Sequence, residues 1–307
     1  MRALLILGPT ASGKSALALA LAGALDGEIV NADSMQVYRD FRVLTARPSV
    51  EEEAQAPHHL YGHVDAGELY SVGRWLSDAS AAIEAIKARS RTPILVGGTG
   101  LYFKALTQGL ADIPAADPET RAALRARAEK EGAPALHAEL AARDPITAAR
   151  LQPNDAPRIL RALEVLETTG ESISALHAGT TPALARHEWA GLALTPPREA
   201  LYSAIDARFE KMLAAGALDE VRAFAARELD PALPAMKAHG APALMAHLRG
   251  EISLGEAAAI GQRDTRRYAK RQFTWIAGQT PDWPCISETA LETRLAAARA
   301  LGAEARD

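Results

Sequence analysis

The segment "GPTASGKS", residues 8–15, has the spacing G-x-x-x-x-G-K-[ST] of a loop whose backbone N–H groups wrap around phosphate oxygens. Before it runs "RALLILG", apolar after Arg2, and after it come Ala- and Leu-rich residues from Lys14 to Leu25. Strand, loop and helix in that order are the context in which the motif works, because the helix N-terminus adds its own partial positive charge. Further strands are expected at "GEIVNAD", "TPILVGGTG" and "WAGLALT", with helices over residues 71–90, capped by Ser71, and 198–213. Strands alternating with helices predict an α/β fold with a parallel sheet covered on both faces. Ligands in such sheets bind beyond the carboxyl ends of the strands. Ser15, Asp33 and Thr99 each fall just past such an end, so three strands aim polar groups at one crevice.

Between residues 111 and 187 the pattern changes to helical periods broken by Pro and Gly, including "APRILRALEVLETTG" with Gly170 as its stop. The expected organisation is a core of residues 1–112 and 187–307 interrupted by a mainly helical insertion, 113–186. The C-terminal third reads as helical to its end. With 34 basic against 38 acidic side chains, any nucleic-acid site must be a local patch. Cys285 is the single cysteine, which excludes an internal disulfide and a multi-cysteine metal site and suits a reducing cytoplasm. The apolar start has the look of a secretory signal, but Lys14 lies in the middle of what would be its apolar region. No apolar run approaches membrane-spanning length, so a soluble protein is expected.

Within the loop, the backbone of Gly8, Thr10, Ala11, Ser12 and Gly13 would face phosphate, Lys14 would neutralise charge, and the Ser15 hydroxyl would meet Mg²⁺. Asp33 can ligate Mg²⁺, accept a proton or cap a turn. Thr99 sits in "GGTG", where glycines either let a ligand approach the backbone or simply make a tight turn. In "RDTRRYAKR", Arg263, Arg266, Arg267, Lys270 and Arg271 recur at helical steps, with Tyr268, Phe273 and Trp275 nearby and Asp264 the acidic residue among them. This stripe is either a solvated face or a phosphate or nucleic-acid contact. Arg158, Arg161, Glu164 and Glu167 share a helical face and read as surface ion pairs. Arg208 is undistinguished by pattern. His58, His59 and His63 in "HHLYGH" suit loop or substrate-side packing better than a metal site.

Together the motifs resemble the tRNA dimethylallyltransferases. The matching pieces are "GPTASGKS", "NADSMQVYRD", "APHHLYGH", "ILVGGTGLYFKAL", "DPETRAAL", "QPNDAPRILRALEVLETTG", "IDARFEKML" and "RDTRRYAKRQFTW", in the family's order across nearly the whole chain. The resemblance implies a P-loop NTPase-like parallel sheet flanked by helices, and transfer of a dimethylallyl group from dimethylallyl diphosphate to N6 of the adenosine just 3′ of a tRNA anticodon. It implies that the loop and Mg²⁺ hold a leaving diphosphate together with Arg208, that Thr99 lies at the reacting centre, and that Asp33 takes the proton of the adenine amine. The base would have to turn out of its stack. By the same resemblance tRNA meets Asp33, Ser34, Met35, Gln36, Thr99, Arg121, Pro157, Arg158, Ile159, Leu160, Arg161, Lys237, Arg266, Lys270 and Arg271, in a cytoplasmic monomer. One departure stands out. Where most bacterial members of the family carry an aromatic and then a basic residue after Gly240, this chain has Ala241 and Pro242, so the anticodon contacts of this loop are not expected to carry over. Two rival readings are an ATP-dependent small-molecule kinase with the same loop and a nucleotide-binding module without chemistry. Neither accounts for the matches outside the loop.

Overall fold

The computed structural model describes residues 2–303 apart from Asp112, Pro114 and Ala115, so the expected domain boundary at Asp112 lies outside the described residues. The chain forms two compact units, Met1–Thr107 with Ala183–Asp307, and Gln108–Pro182.

The first unit is built on an apolar alternation. Strand β1, Ala3–Leu7, is buried along its whole length. Leu5 and Leu7 enter one core with Val30 and Leu95, while Leu4 and Ile6 enter another with Ile29 and Ile94. Side chains of a strand point to opposite faces in turn, so both faces of the sheet must be covered. Strands β2 (Gly27–Asn31), β3 (His58–His59), β4 (Thr92–Gly97), β5 (Trp189–Leu194) and β6 (Cys285–Ile286) complete a six-stranded sheet in the order β3-β2-β4-β1-β5-β6. Every pairing is parallel. The helix Lys14–Leu25 covers one face through Leu17 and Leu21, and the helix Val72–Ala88 covers the other through Trp75 and Ile83. Ser71 caps the latter by accepting the Arg74 N–H.

Two expectations need correction. His58 and His59 are an edge strand paired with Ile29 and Val30, not a loop. The C-terminal third is not wholly helical either, because β6 pairs with β5 at the far edge. Both strands are two residues long, too short to show a periodic signal.

The second unit is helical among its described residues. The helices Pro118–Glu131, Ala133–Arg143 and Ala156–Thr169 bury Leu124, Leu136, Leu140, Ile159 and Leu163 in a core of their own. Gly170 ends the last of these in the left-handed conformation. Ile159 is fully buried, so this residue, expected at the RNA, is a core residue. Pro157 and Arg158 on the same turn are exposed.

One buried ion cluster ties the β3 edge to the sheet. Glu28 is 2% exposed and accepts two hydrogen bonds from Arg89, at 3.0 and 2.7 Å, while His59 Nε2 lies 2.6 Å from its Oε2. The hydrogen bonds from Arg89 hold this carboxyl down to about 2, against the opposing effect of burial. A carboxyl depressed from 4.5 stabilises the fold above that pH and loses its contribution as pH falls toward 2. Glu28→Gln is expected to cost about 2 kcal/mol at neutral pH. It should also flatten the decline in stability over that acid range, as measured by urea unfolding across pH. An unchanged acid limb would assign the decline to other groups.

Candidate active site

The phosphate-type loop joins β1 to the helix Lys14–Leu25. Gly13, with φ 82°, stands at the helix N-cap, and no side chain caps that end. The first N–H groups of the helix are therefore left to a ligand. Ser12 Oγ is buried without a hydrogen-bond partner among the described residues. The half-buried Lys14 amine loses hydration, which pushes it down to about 8, with Asp33 opposing and Arg208 adding to the shift. Arg208, on the helix Arg198–Ala214, donates to Thr10 Oγ1. Burial lowers its pKa also, and Asp33 opposes. Two cations at one loop, each short of water, with one carboxylate near both, describe a site poised for an anion.

Asp33 leaves the carboxyl end of β2 in a turn that Asn31 builds. Asn31 is fully buried; its Oδ1 accepts the Asp33 N–H (2.9 Å) and its Nδ2 donates to the Asp33 and Leu60 carbonyls (3.0 Å each). Asp33 Oδ1 in turn accepts the Met35 N–H (2.9 Å). Thr99 follows β4. Its hydroxyl oxygen accepts the Ser34 N–H (2.9 Å) and donates to Ser34 Oγ (3.3 Å), and the Tyr268 side chain also interacts with it. The turns after β2 and β4 are thus fastened to each other.

A third fastening was not visible in the motif reading. Gln272, 5% exposed on the helix Leu254–Gln279, accepts the Thr10 N–H through Oε1 (2.9 Å) and donates through Nε2 to the Gly98 carbonyl (2.8 Å). The signal was there. Gln272 is a polar residue on the face that buries Gly261, Thr265, Ala269 and Ile276. This contact also revises the reading of "GGTG". A Cβ at Gly98 would meet Gln272 at 2.2 Å, and one at Gly100 would meet Trp275 at 1.9 Å. Side chains of this helix approach closely at Gly98 and Gly100.

Two adjoining clefts open beside these groups. One is lined by residues 10–15 with Asp33, Gln36, Thr45, Arg47 and Arg208. The other shares Thr10, Asp33, Thr45 and Arg208 with it and continues past Met35, Leu44, Ile205, Phe209, Met212, His239 and Tyr268. A charged half and a half with an apolar wall of Met35, Leu44, Ile205, Phe209 and Met212 therefore meet at Asp33 and Arg208. The His239 and Tyr268 rings meet in the second half, centroids 4.5 Å apart and tilted by 43°. Sequence reading had missed His239, whose only sign was its place in the departing "KAHGAP" segment. Ala241 is buried at the start of the helix Ala241–Leu248, with Pro242 in its first turn.

The basic stripe lies on the helix Leu254–Gln279 as expected, but it is partly neutralised. Arg266 pairs with Asp206 of the helix Arg198–Ala214, and Arg263 and Arg267 pair with Asp264. Lys270 and Arg271 are exposed, have no ion pair among the described residues, and Arg271 lies over the Tyr268 ring at 5.4 Å. Trp275 packs on the core, and Phe273 packs beside Leu201 and Ile205. Gln36 donates to the Thr45 and Ala46 carbonyls, and Lys237 is exposed on a short turn of helix. In the second unit Arg121 and Arg161 both reach Glu164, at 3.6 and 3.4 Å, and Arg158 reaches Asp155 at 3.5 Å.

No helix among the described residues is long and apolar enough to cross a membrane. Residues 36–279 match the family model described as IPP transferase, and residues 1–67 match that of isopentenyl transferase. A tRNA dimethylallyltransferase of Nitrobacter hamburgensis is 59% identical over 95% of the chain and 93% of the relative. The solved full-length tRNA isopentenylpyrophosphate transferase of Bacillus halodurans superposes with TM-score 0.72 at 32% identity, covering 99% of this chain and 97% of its own. A eukaryotic dimethylallyltransferase acting on tRNA gives TM-score 0.82 at 29% identity, covering 97% of this chain and 77% of its own. With a family model spanning most of its length and relatives alike from end to end, the chain belongs to the IPP transferase family, the tRNA dimethylallyltransferases.

Proposed function

We propose that the protein transfers a dimethylallyl group from dimethylallyl diphosphate to N6 of the adenosine immediately 3′ of the anticodon in certain tRNAs, in the cytoplasm. The observation that carries the chemistry is the meeting of the two half-clefts at Asp33 and Arg208. In this reading the loop amides, Lys14 and Arg208 hold the diphosphate, and the apolar half takes the five-carbon chain. The amine lone pair attacks the allylic carbon, the carbon–oxygen bond breaks, diphosphate leaves, and Asp33 takes the N6 proton. Charge grows on the leaving group as that bond opens, where fixed cations and amides act most strongly. Thr99, fixed by Ser34 and Tyr268, stands at the reacting centre. The loop also suits a divalent cation. Ser15 is exposed in the same cleft as the Asp33 carboxylate, giving hard oxygen donors of the kind Mg²⁺ takes alongside phosphate oxygens. Bound there, Mg²⁺ would neutralise diphosphate charge, with Ser15 as its protein ligand.

RNA recognition falls, in this proposal, to the exposed Lys270 and Arg271 with Lys237, to residues 33–36, and to Arg121, Pro157, Arg158, Leu160 and Arg161. Arg266 would trade its Asp206 partner for phosphate. A kinase has less support, because the family model and the relatives that match the chain from end to end are an IPP transferase model and tRNA dimethylallyltransferases. The deciding experiment incubates the protein with bulk tRNA, labelled dimethylallyl diphosphate and Mg²⁺, then digests the RNA and looks for prenylated adenosine. Transfer of label from ATP to a small molecule instead would favour the kinase.

Three outcomes are expected. Asp33→Asn keeps the shape of the turn but is a far weaker base, so single-turnover prenylation should fall by about a hundred- to ten-thousand-fold with tRNA affinity little changed. Near-normal transfer, or full rescue by extra Mg²⁺, would rule out the proton-accepting role. Replacing Lys270 and Arg271 by Ala should reduce the salt slope of tRNA binding by about one unit or less for each lost contact; an unchanged slope would leave these cations a solvated face. Lys14 sets the third. Its ammonium loses its proton above about pH 8, so inorganic diphosphate should bind progressively more weakly there relative to Lys14→Arg, which stays charged. The comparison cancels the titration of diphosphate itself, and parallel pH profiles would overturn the lowered pKa of Lys14.

A further inference from the structure

Behind the phosphate loop lies a cation that no motif singles out. Arg294 belongs to the helix Leu291–Ala303, whose Leu295 and Ala298 share an apolar cluster with Leu17 and Leu21 of the loop's own helix. On this helix Arg294 occupies the core-facing side, four residues before Ala298, where an apolar residue would ordinarily stand. It is only 4% exposed. One η nitrogen donates to the Ser12 carbonyl (2.7 Å), and Nε donates to the Glu288 carbonyl (2.6 Å). The same η nitrogen would stand 2.6 Å from a Cβ at residue 13, so Gly13 is required there by the arginine as well as by its positive φ.

Among the described residues no carboxylate lies within ion-pair distance of Arg294. Burial lowers the pKa of Arg294, and the more distant Glu288 carboxylate opposes that only in part; a buried charge hydrogen-bonded to two carbonyls is costly, and a packed apolar side chain in its place would relieve that cost. Ser12, whose carbonyl it holds, also carries the buried hydroxyl that has no partner. Arg294 bears on Ser12 and Gly13, both of which line the cleft at the loop, and an anion bound in that cleft would offset its charge.

We infer that Arg294 is a positioning residue of the phosphate loop. It fixes Ser12 and Gly13 from behind, so that the amides at the start of the helix keep their aim, and it lends its charge to the anion bound in front. The inference rests on the reading of the loop as the diphosphate site. It adds a residue more than 270 positions away in sequence, which touches no substrate.

The test is equilibrium dialysis of labelled inorganic diphosphate with Mg²⁺ against the full chain. Arg294→Met, which keeps length but loses charge and donors, should bind about tenfold more weakly. Arg294→Lys should recover most of that loss. Affinity for tRNA should be unchanged in both, and the KM for dimethylallyl diphosphate should rise without a rise in the KM for tRNA; a general loss of folding would not split them. Lys14→Ala, run alongside, separates the two levels of the proposal. If Lys14→Ala binds diphosphate like the parent, the reading of the loop fails. If Lys14→Ala loses binding while Arg294→Met keeps the parent affinity, the role of Arg294 alone is overturned. Should Arg294→Met not fold, Arg294→Lys and Arg294→Gln decide the matter: the charged variant must bind diphosphate more tightly, and equal affinity overturns the inference.

Discussion

The carboxamide of Gln272 holds together the two turns on which the site is built. Its oxygen takes the Thr10 N–H and its nitrogen reaches the Gly98 carbonyl, so one side chain spans the loop after β1 and the turn after β4. Both groups are backbone, and a buried backbone group without a partner is expensive. The helix that carries Gln272 is therefore fixed in depth and rotation, and with it Tyr268 beside Thr99 and the exposed Lys270 and Arg271. The turn after β2 is fastened by the same means. Asn31 shapes it from within, and Ser34 ties it to Thr99. Three strand ends thereby become one rigid rim, which is what a proton acceptor must have if it is to stay within reach of a reacting amine.

This rim explains what the loop motif alone cannot. A loop of this kind is equally at home under a triphosphate, and its chemistry depends on what stands beside it. Here the neighbouring half-cleft is lined by Leu44, Ile205, Phe209 and Met212. Ile205, Arg208, Phe209 and Met212 follow one another at helical steps on the helix Arg198–Ala214, so a single helix face presents the arginine and the apolar wall together. Such a face sets a charged group directly beside an apolar wall, the pairing that the proposed substrate requires.

Much of the architecture was legible because it rests on local signals. The strand–loop–helix opening, the Ser71 cap, the Gly170 stop and the switch to helical periods all depend on short-range chemistry. What escaped was set by tertiary contact. Strands β3 and β6 exist because a neighbouring strand accepts two residues, and a two-residue strand has no period. Burial of Ile159 beside exposed Arg158 depends on which face of its helix meets Leu136 and Leu140. The basic stripe was read correctly as a stripe, but Asp206 lies 60 residues from Arg266 in sequence, and no inspection of the helix itself reveals that pairing. Arg208 had no distinguishing pattern, and only its contact with Thr10 brings it to the loop. Gln272 and Arg294 were legible in principle, as polar residues on core-facing positions. The general lesson is narrow: in an apolar helix face, a lone polar residue marks a contact that the fold needs.

The electrostatics of the cleft reveal how binding and reaction would be coupled. Lys14 and Arg208 stand close enough that each is affected by Asp33 and Lys14 is further lowered by Arg208. Without an anion, one carboxylate must offset two partly dehydrated cations. An incoming diphosphate relieves their repulsion and restores the full charge of Lys14, and it also takes over the role of counter-ion from Asp33. On the proposed mechanism the two cations then face the group on which charge grows as the carbon–oxygen bond opens, where fixed charge acts most strongly.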